Sequence, residues 1–393
     1  MKARRILVLT LSFGSGHVTA ARAVAEELRR RDPSADVRVV DALEGARLAF
    51  RACYAWPYWL MIRHAPKLWE RFFESRVARG DEGTAPAWAF RWGCAHVFKL
   101  VAEFRPDAIV ACEVAACELA SLARREGLTS ARVVAVITDH EAEPVWVKPE
   151  TDAFVVADER VREQLRSWGA RVEAIAVCGI PTDAAFGARY DAEEMRRRHG
   201  IGGDAPVVLL MCGGMGPART DVVARHLCAS GERVNVVAVA GRDEKMRRRL
   251  SRIKAEPPST LRVVGWTDDV AALMQAASLL VTKPGGLTTA EAALSSLPVV
   301  FFDAIPGPER RNAARVADAG AGLLADSPEE AARAALALLR DETARRRMAA
   351  RAFELSSADA AATVARIALD GDMVVETAGE SAFARPAAER MTA

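Results

Sequence analysis

The chain has 393 residues, enough for two domains that each bury a core of their own. Hydrophobic residues make up 51%, charged residues 27%, and the net charge is +2, which is ordinary for a globular protein and excludes a general polyanion binder. Seven cysteines are scattered without a CxxC pair, so the sequence indicates neither a disulfide framework nor a zinc site. We expect buried thiols in a reducing compartment.

The N-terminal apolar run, Ile6–Leu11, is short for the core of a signal peptide and predicts a buried strand instead. The longest stretch without Asp, Glu, Lys or Arg is Ile6–Ala21, and it contains polar residues. No segment approaches the ~18 apolar residues that span a bilayer. We therefore expect a cytoplasmic protein, peripheral to the inner membrane.

Apolar runs alternate with amphipathic segments in two successive series. The first series of predicted strands is Ile6–Thr10, Val37–Val40, Ala108–Ala111, Val133–Ile137 and Phe154–Val156. The second is Val207–Met211, Val234–Ala240, Leu261–Val264, Leu279–Val281 and Val299–Phe302. Long connections between several of these runs favour parallel pairing through helical crossovers. The pattern predicts an α/β protein with two doubly wound domains.

Composition then suggests the domain boundaries. We predict an N-terminal domain at 1–190 with an aromatic and basic insertion at 45–95, and a C-terminal domain at 204–345. The polar segment 190–206 is the predicted linker. Asp326-Ser327-Pro328 resembles a helix start, with helices running to about Ala368. Residues 371–393 show little periodicity, and we expect disorder there.

A glycine-rich turn, Pro284-Gly285-Gly286, follows a predicted strand and precedes a predicted helix at Leu287-Thr288-Thr289. Glycines let the backbone approach a ligand, and the N–H groups at a helix start attract anions such as a diphosphate. Glu291 lies about one helical turn further on, and Glu309 and Asn312 lie in a predicted loop after the next strand. This order is typical of a nucleotide-sugar site, and the alternative is an ordinary βα unit with a tight turn.

The first βα turn reads Ser12-Phe13-Gly14-Ser15-Gly16-His17, which lacks the third glycine of the dinucleotide fingerprint. His17 lies where the first strand ends and is the candidate general base, taking a proton from an acceptor hydroxyl. The alternative is a histidine that bonds its own turn. A second such turn contains Gly213 and Gly214 and could approach the donor phosphates.

Residues 45–80 carry seven Arg and Lys against two Glu. Their aromatic residues include Tyr54, Trp56, Tyr58, Trp59, Trp69, Phe72 and Phe73. Rings interleaved with cations suit the headgroup region of an anionic membrane. We predict that this surface is bound through Trp56, Trp59, Arg63, Lys67 and Trp69. The alternative is a helical insertion with its rings in the core, and without a recognised motif we expect no nucleic-acid partner.

Several motifs together resemble one family. They are Gly14-Ser15-Gly16-His17, Ile137-Thr138-Asp139, Gly179-Ile180-Pro181, Pro284-Gly285-Gly286, Pro306-Gly307 and Glu309-Arg310-Arg311-Asn312. In this order they resemble the diacylglycerol glycosyltransferases, the monogalactosyl- and processive glucosyl-diacylglycerol synthases, over roughly residues 4–365. The resemblance implies a GT-B fold, with two Rossmann-like domains facing across a cleft and a C-terminal helix at 346–370 crossing back to the first. It also implies inverting transfer from a UDP-sugar to a lipid hydroxyl, without a metal or other cofactor.

By this resemblance, His17 is the base, and Asp139 orients it or shares its role. The residues that would receive the diphosphate are Gly285, Gly286, Thr288 and Thr289. Glu291 would bind the ribose hydroxyls, and Glu309 and Asn312 the sugar.

This chain also departs from the family pattern. Pro308 replaces the glutamine of the sugar loop, and Glu143 replaces a histidine three residues before Trp146, while His140 adjoins Asp139. Cys112-Glu113 is also unusual, which makes Glu113 an alternative base. The departures leave the donated sugar and the acceptor open. Competing hypotheses are a transferase acting on a soluble or peptidoglycan-precursor acceptor, a nucleotide-sugar epimerase, and a non-catalytic nucleotide-sugar-binding protein.

Overall fold

The computed structural model describes residues 3–80, 83–211 and 218–373. These fall into two compact units. The first contains the described residues up to Asp183, Pro306–Pro308 and the segment from Ser357 onward; the second contains Ala184–Ile305 and Glu309–Ser356. Among the described residues, no helix is long and apolar enough to cross a membrane.

The first unit is built on a parallel sheet of six strands. In chain order its elements are β1 (Arg5–Thr10), α1 (Ser15–Arg31), β2 (Asp36–Asp41), α2 (Leu48–His64), α3 (Pro66–Arg79), α4 (Ala87–Gly93), α5 (Ala95–Phe104), β3 (Ala108–Ala111), α6 (Val114–Arg125), β4 (Arg132–Val136), β5 (Ala153–Val156), α7 (Glu159–Ser167) and β6 (Ile175–Val177). The strand order is β2-β1-β3-β4-β5-β6. The insertion predicted at 45–95 forms α2, α3 and α4.

The second unit repeats this plan. Its elements are α8 (Ala192–Arg198), β7 (Val207–Met211), α9 (Thr220–Cys228), β8 (Asn235–Val239), α10 (Glu244–Leu250), β9 (Thr260–Val264), α11 (Val270–Ala276), β10 (Leu279–Thr282), α12 (Gly286–Leu294), β11 (Val299–Phe301), α13 (Pro308–Asp318), β12 (Gly322–Leu324), α14 (Pro328–Arg340) and α15 (Glu342–Glu354). The parallel sheet has the order β12-β11-β10-β7-β8-β9. The last helix, α16 (Ala360–Asp370), belongs to the first unit.

Each sheet of the two units is covered on both faces, which explains its nearly continuous apolar strands. Along β1, Ile6 and Val8 pack on the side of α1 and α16, whereas Leu7 and Leu9 pack on the side of α4, α5 and α6. This alternation is the two-residue period of a strand. The sheets therefore form the rigid base on which the connecting turns sit.

The structure differs from the sequence prediction in three places. β6 and β12 are three-residue strands that were not predicted, and such short runs give little periodic signal. The predicted linker 190–206 contains α8, because Asp191 accepts hydrogen bonds from two N–H groups at its start and Met195 is buried. Residues 374–393 of the predicted disordered tail lie outside the described residues.

Candidate active site

In each unit the connections reverse direction at one point of the sheet, between β1 and β3 in the first and between β7 and β10 in the second. Ligands of open α/β sheets bind beyond the carboxyl ends of the strands at such points. In the first unit this edge gathers the turn before His17, Cys112-Glu113 after β3, and Thr138-Asp139 after β4. In the second it holds the turn that begins at Lys283 after β10. Gly213 and Gly214 lie outside the described residues.

His17 is the third residue of α1, and its side chain is partly buried. Its Nδ1 atom lies 2.7 Å from Oγ1 of Thr138, which is buried just after β4. The ring also hydrogen-bonds with the backbone of Cys112. The predicted base is thus held by the two neighbouring strand ends, not by its own turn.

Burial lowers the pKa of His17 below its ordinary value, and the negative charge of Asp139 and the hydrogen bond with Cys112 partly oppose this. A lowered pKa keeps the imidazole neutral at pH 7, which is the form that accepts a proton. Once protonated, the ring would be stabilised by the nearby Asp139 carboxylate. The structure thus brings the two predicted catalytic residues into electrostatic contact.

Glu113, the alternative base, caps α6. Its Oε2 atom accepts hydrogen bonds from the N–H groups of Ala115, at 2.8 Å, and Ala116, at 3.2 Å. Burial raises the pKa of this carboxyl to about 8, with smaller contributions from the charges of Glu118 and Glu143. A capping role accounts for the position of Glu113, and the sequence signal for it is an acidic residue directly before a helix.

The histidine beside Asp139 contacts a different element. The Nδ1 atom of His140 lies 3.0 Å from Oδ2 of Asp158, whose other carboxylate oxygen accepts hydrogen bonds from N–H groups at the start of α7. Glu143 forms an ion pair with Arg76 of α3. His140 and Glu143, the two residues of this segment that depart from the family pattern, thus each contact a charged side chain of the first unit.

The predicted diphosphate site begins at the N-terminus of α12. Gly285 occupies the N-cap with an ordinary φ of −68°, and as a glycine it has no side chain with which to cap the helix. A Cβ atom at Gly285 would meet no described atom within 4 Å, so packing does not require glycine there. Glycine is a favoured N-cap residue, and here it also leaves room for the close approach of a ligand. Gly286 is the first residue of the helix, and Thr288, two residues further on, is half-buried.

Two other predicted donor residues are buried on α12. The Oγ1 atom of Thr289 donates a 2.5 Å hydrogen bond to the carbonyl of Gly286, and its side chain lines the first helical turn. Glu291 is also buried, two positions further along the helix. Thr289 therefore stabilises the turn beneath the predicted phosphate position.

Glu309 and Asn312 lie in the first turns of α13, so their prediction as loop residues is wrong. Proline fits the first helical position, and Pro308 begins this helix. The buried Nδ2 atom of Asn312 donates to the carbonyl of Pro284 at 3.0 Å. Asn312 thereby supports the glycine-rich turn.

Lys283 was missed by the sequence prediction. Its buried Nζ atom lies 3.3 Å from Oε1 of Glu309. The available signal was its position directly before Pro284-Gly285-Gly286. A buried cation at the phosphate turn fits a site for an anionic leaving group.

The aromatic and basic segment forms the hairpin, which we define as α2 and α3, residues 48–79. Trp69 is only 8% exposed, packs against Tyr58, and is therefore not a surface anchor, so that part of the prediction is wrong. Trp56 is 60% exposed, and Leu60, Leu68 and Phe72 are exposed too. Arg63 and Lys67 are exposed and Trp59 is partly buried. The hairpin combines core rings with an exposed apolar and cationic face.

Two family models match successive parts of the chain. Residues 17–182 match monogalactosyldiacylglycerol (MGDG) synthase, and residues 221–355 match glycosyl transferases group 1. The chain resembles the diacylglycerol glycosyltransferases, as predicted. Curated relatives of this family include the processive diacylglycerol beta-glucosyltransferases of Bacillus licheniformis and Bacillus subtilis. Each is 27% identical to this chain. The match with the Bacillus licheniformis protein covers 86% of this chain and 88% of that protein, and the match with the Bacillus subtilis protein covers 88% and 89%.

Solved structures of other proteins agree with this chain in fold. Acinetobacter baumannii MurG has a TM-score of 0.61 and 15% identity, over 93% of this chain and 99% of that one. Anabaena HepE in complex with UDP-glucose has a TM-score of 0.52 and 16% identity, over 98% and 99%. The predicted GT-B class is confirmed: each unit carries the doubly wound sheet that it requires.

Proposed function

We propose that this chain is an inverting glycosyltransferase that moves a hexose from a UDP-sugar to a lipid hydroxyl, such as that of diacylglycerol. One observation carries the proposal: a partly buried His17, with its Nδ1 atom 2.7 Å from Oγ1 of Thr138, lies near the charge of Asp139 at the strand ends of the unit that matches MGDG synthase. The relatives named as diacylglycerol glucosyltransferases and the UDP-glucose complex of HepE support the lipid acceptor and the UDP-sugar donor.

In the proposed mechanism, His17 removes the proton of the acceptor hydroxyl as the oxygen attacks the anomeric carbon. Attack from the face opposite UDP inverts the configuration at that carbon. The resulting imidazolium is stabilised by Asp139, while Thr138 holds the ring orientation. A positioned general base typically contributes 10²–10⁴-fold to the rate.

Departure of UDP concentrates negative charge on the diphosphate. The N–H of Gly285 donates to the carbonyl of Lys283 at 3.0 Å. In our proposal the N–H group of Gly286 at the start of α12 and the hydroxyl of Thr288 therefore bind this charge, with Gly285 leaving room for the diphosphate and Lys283 as the adjacent cation. This arrangement would stabilise the leaving group without a divalent metal. Glu291 would bind the ribose hydroxyls, and the polar groups of α13 would bind the sugar.

The exposed face of the hairpin is the proposed contact with an anionic membrane, which would make the protein cytoplasmic and peripheral. Trp56, Leu68 and Phe72 would enter the headgroup region, while Arg63 and Lys67 would meet lipid phosphates. Rings and cations on one face of a helical segment are typical of interfacial binding.

The test is to incubate purified protein with a panel of UDP-sugars and a total lipid extract, and to identify new glycolipids by mass spectrometry. We expect a hexosylated lipid with wild-type protein and not with a His17→Ala variant. Release of free sugar without glycolipid, or a product formed only with a water-soluble acceptor, would overturn the lipid assignment. Binding of UDP without any turnover would favour a nucleotide-sugar-binding protein instead.

A further inference from the structure

The hairpin contacts both chain segments that carry the catalytic pair. Its first contact is with Phe13, four residues before His17. The Phe13 ring lies edge-on to Tyr54 and to Tyr58 of α2, with 5.4 Å between ring centroids in each case. Tyr58 in turn packs edge-on against the buried Trp69 of α3 at 4.9 Å. A continuous aromatic contact therefore joins the turn before His17 to both helices of the hairpin.

Its second contact is with the segment after Asp139. Glu143 follows Asp139 by four residues and forms an ion pair with Arg76 near the end of α3. Each side chain is only 14% exposed. A pair so buried gains little net stability, because desolvation offsets the attraction, but removing either partner leaves the other charge buried and uncompensated.

Charges around Glu143 make Arg76 necessary for this geometry. Glu118 from α6 and Asp139 from the same segment both raise the pKa of Glu143, as burial does most of all, whereas Arg76 lowers it. Without Arg76, this carboxylate would be buried among like charges. It would then take up a proton or move toward solvent, and its segment would move with it.

We propose that Arg76 and Glu143 are positioning residues for the His17–Asp139 pair. The hairpin fixes the positions of the two catalytic segments relative to each other, through this ion pair and through its contact with Phe13. The inference rests on the proposed transferase function. It assigns a purpose to the acidic residue at position 143, which the family pattern does not explain. Neither residue is required to touch the substrate.

The test compares Arg76→Gln with Arg125→Gln. Arg125 pairs with Glu150 at 2.7 Å in the same unit and contacts neither catalytic segment through that pair. Since its side chain is 54% exposed against 14% for Arg76, it controls for the loss of an arginine ion pair and not for burial. With UDP-glucose and dioleoylglycerol in phosphatidylglycerol vesicles, we expect Arg76→Gln to lower kcat about tenfold to a hundredfold. The KM for UDP-glucose should stay within about twofold, and Arg125→Gln should resemble wild type. A rise in KM with unchanged kcat would overturn the proposal.

Hydrogen–deuterium exchange provides a readout that does not depend on turnover. We expect faster exchange in peptides covering 12–17 and 137–146 in Arg76→Gln, and not in Arg125→Gln. The reversed pair, Arg76→Glu with Glu143→Arg, should restore part of both kcat and protection. If Arg76→Gln does not fold, Glu143→Gln keeps the side-chain volume and serves the same comparison. Unchanged exchange would refute the positioning role, whereas absent wild-type transfer would refute only the proposed function.

Discussion

The Nζ atom of Lys283 lies 3.3 Å from Oε1 of Glu309, and Oε2 of Glu309 accepts a 2.7 Å hydrogen bond from the N–H of Ile305. One carboxylate therefore joins the end of β10 to the chain just before α13. Since Asn312 of the same helix donates to Pro284, α13 supports the glycine-rich turn at two points. This turn is therefore held by two segments that are distant in sequence.

Replacing Lys283 with Met should weaken UDP binding about tenfold or more, because a buried cation is lost beside the diphosphate position. Uridine, which has no phosphate, should bind wild type and variant alike. Isothermal titration calorimetry measures both ligands, with the exposed Lys254→Met as control. Equal loss of uridine and UDP affinity would indicate a general distortion and contradict the phosphate role.

Replacing His17 with Ala should lower kcat by 10²–10⁴-fold while the affinity for UDP stays unchanged, since the proton acceptor is lost and the donor turn is intact. Steady-state kinetics with saturating acceptor gives the first quantity and calorimetry the second. His226→Ala, at an exposed histidine of α9, is the matched control. Near-normal turnover of His17→Ala would eliminate it as the base.

The Asp139→Asn variant should change the pH dependence of kcat. The Asp139 charge raises the pKa of His17, so its removal lowers that pKa further. Because the base works when unprotonated, the acid limb of the profile should move to lower pH. The plateau should fall as well, because the imidazolium loses its counter-charge. A limb that moves to higher pH would show that Asp139 acts differently.

Glu113→Gln should stabilise the protein, increasingly so as the pH rises. Burial raises the pKa of this carboxyl from 4.5 to about 8. Between these values the unfolded chain releases the proton while the folded chain keeps it, so wild-type stability falls by up to about 1.4 kcal/mol per pH unit. Glutamine keeps an oxygen for the helix cap and does not ionise. The difference in Tm between variant and wild type should grow from pH 5 to 8 and then level off, and a constant difference would contradict the assignment.

Trp56→Ser should reduce sedimentation with phosphatidylglycerol vesicles by about tenfold, because an exposed ring of the hairpin no longer enters the headgroup region. Trp266→Ser, at an equally exposed tryptophan of the second unit, is the matched control. Trp69→Leu should instead lower Tm, since that ring is buried. Equal effects of the Trp56 and Trp266 variants on vesicle binding would rule out a specific lipid face.

The features that the sequence predicts correctly are those with a signal in neighbouring residues. Buried parallel strands are continuous apolar runs, and the turn before His17 follows one directly. Pairings between distant segments have no such signal, so the Lys283–Glu309 contact and the burial of Trp69 emerged only from the structure. The fixed φ of Pro308 is a local signal for the start of α13, and the family pattern, which has a glutamine of the sugar loop at this position, does not contain it.

The position of α16 also dictates an order of events during synthesis. Val364, Ile367 and Leu369 complete the same apolar cluster as Ile6 and Val8 of the first strand. A ribosome must therefore translate the entire second unit before the first can close its core. Until then, α1 packs on this face of the N-terminal sheet but the part that α16 covers stays open to chaperones and proteases, and a stop codon just before Ala360 would leave that part open permanently.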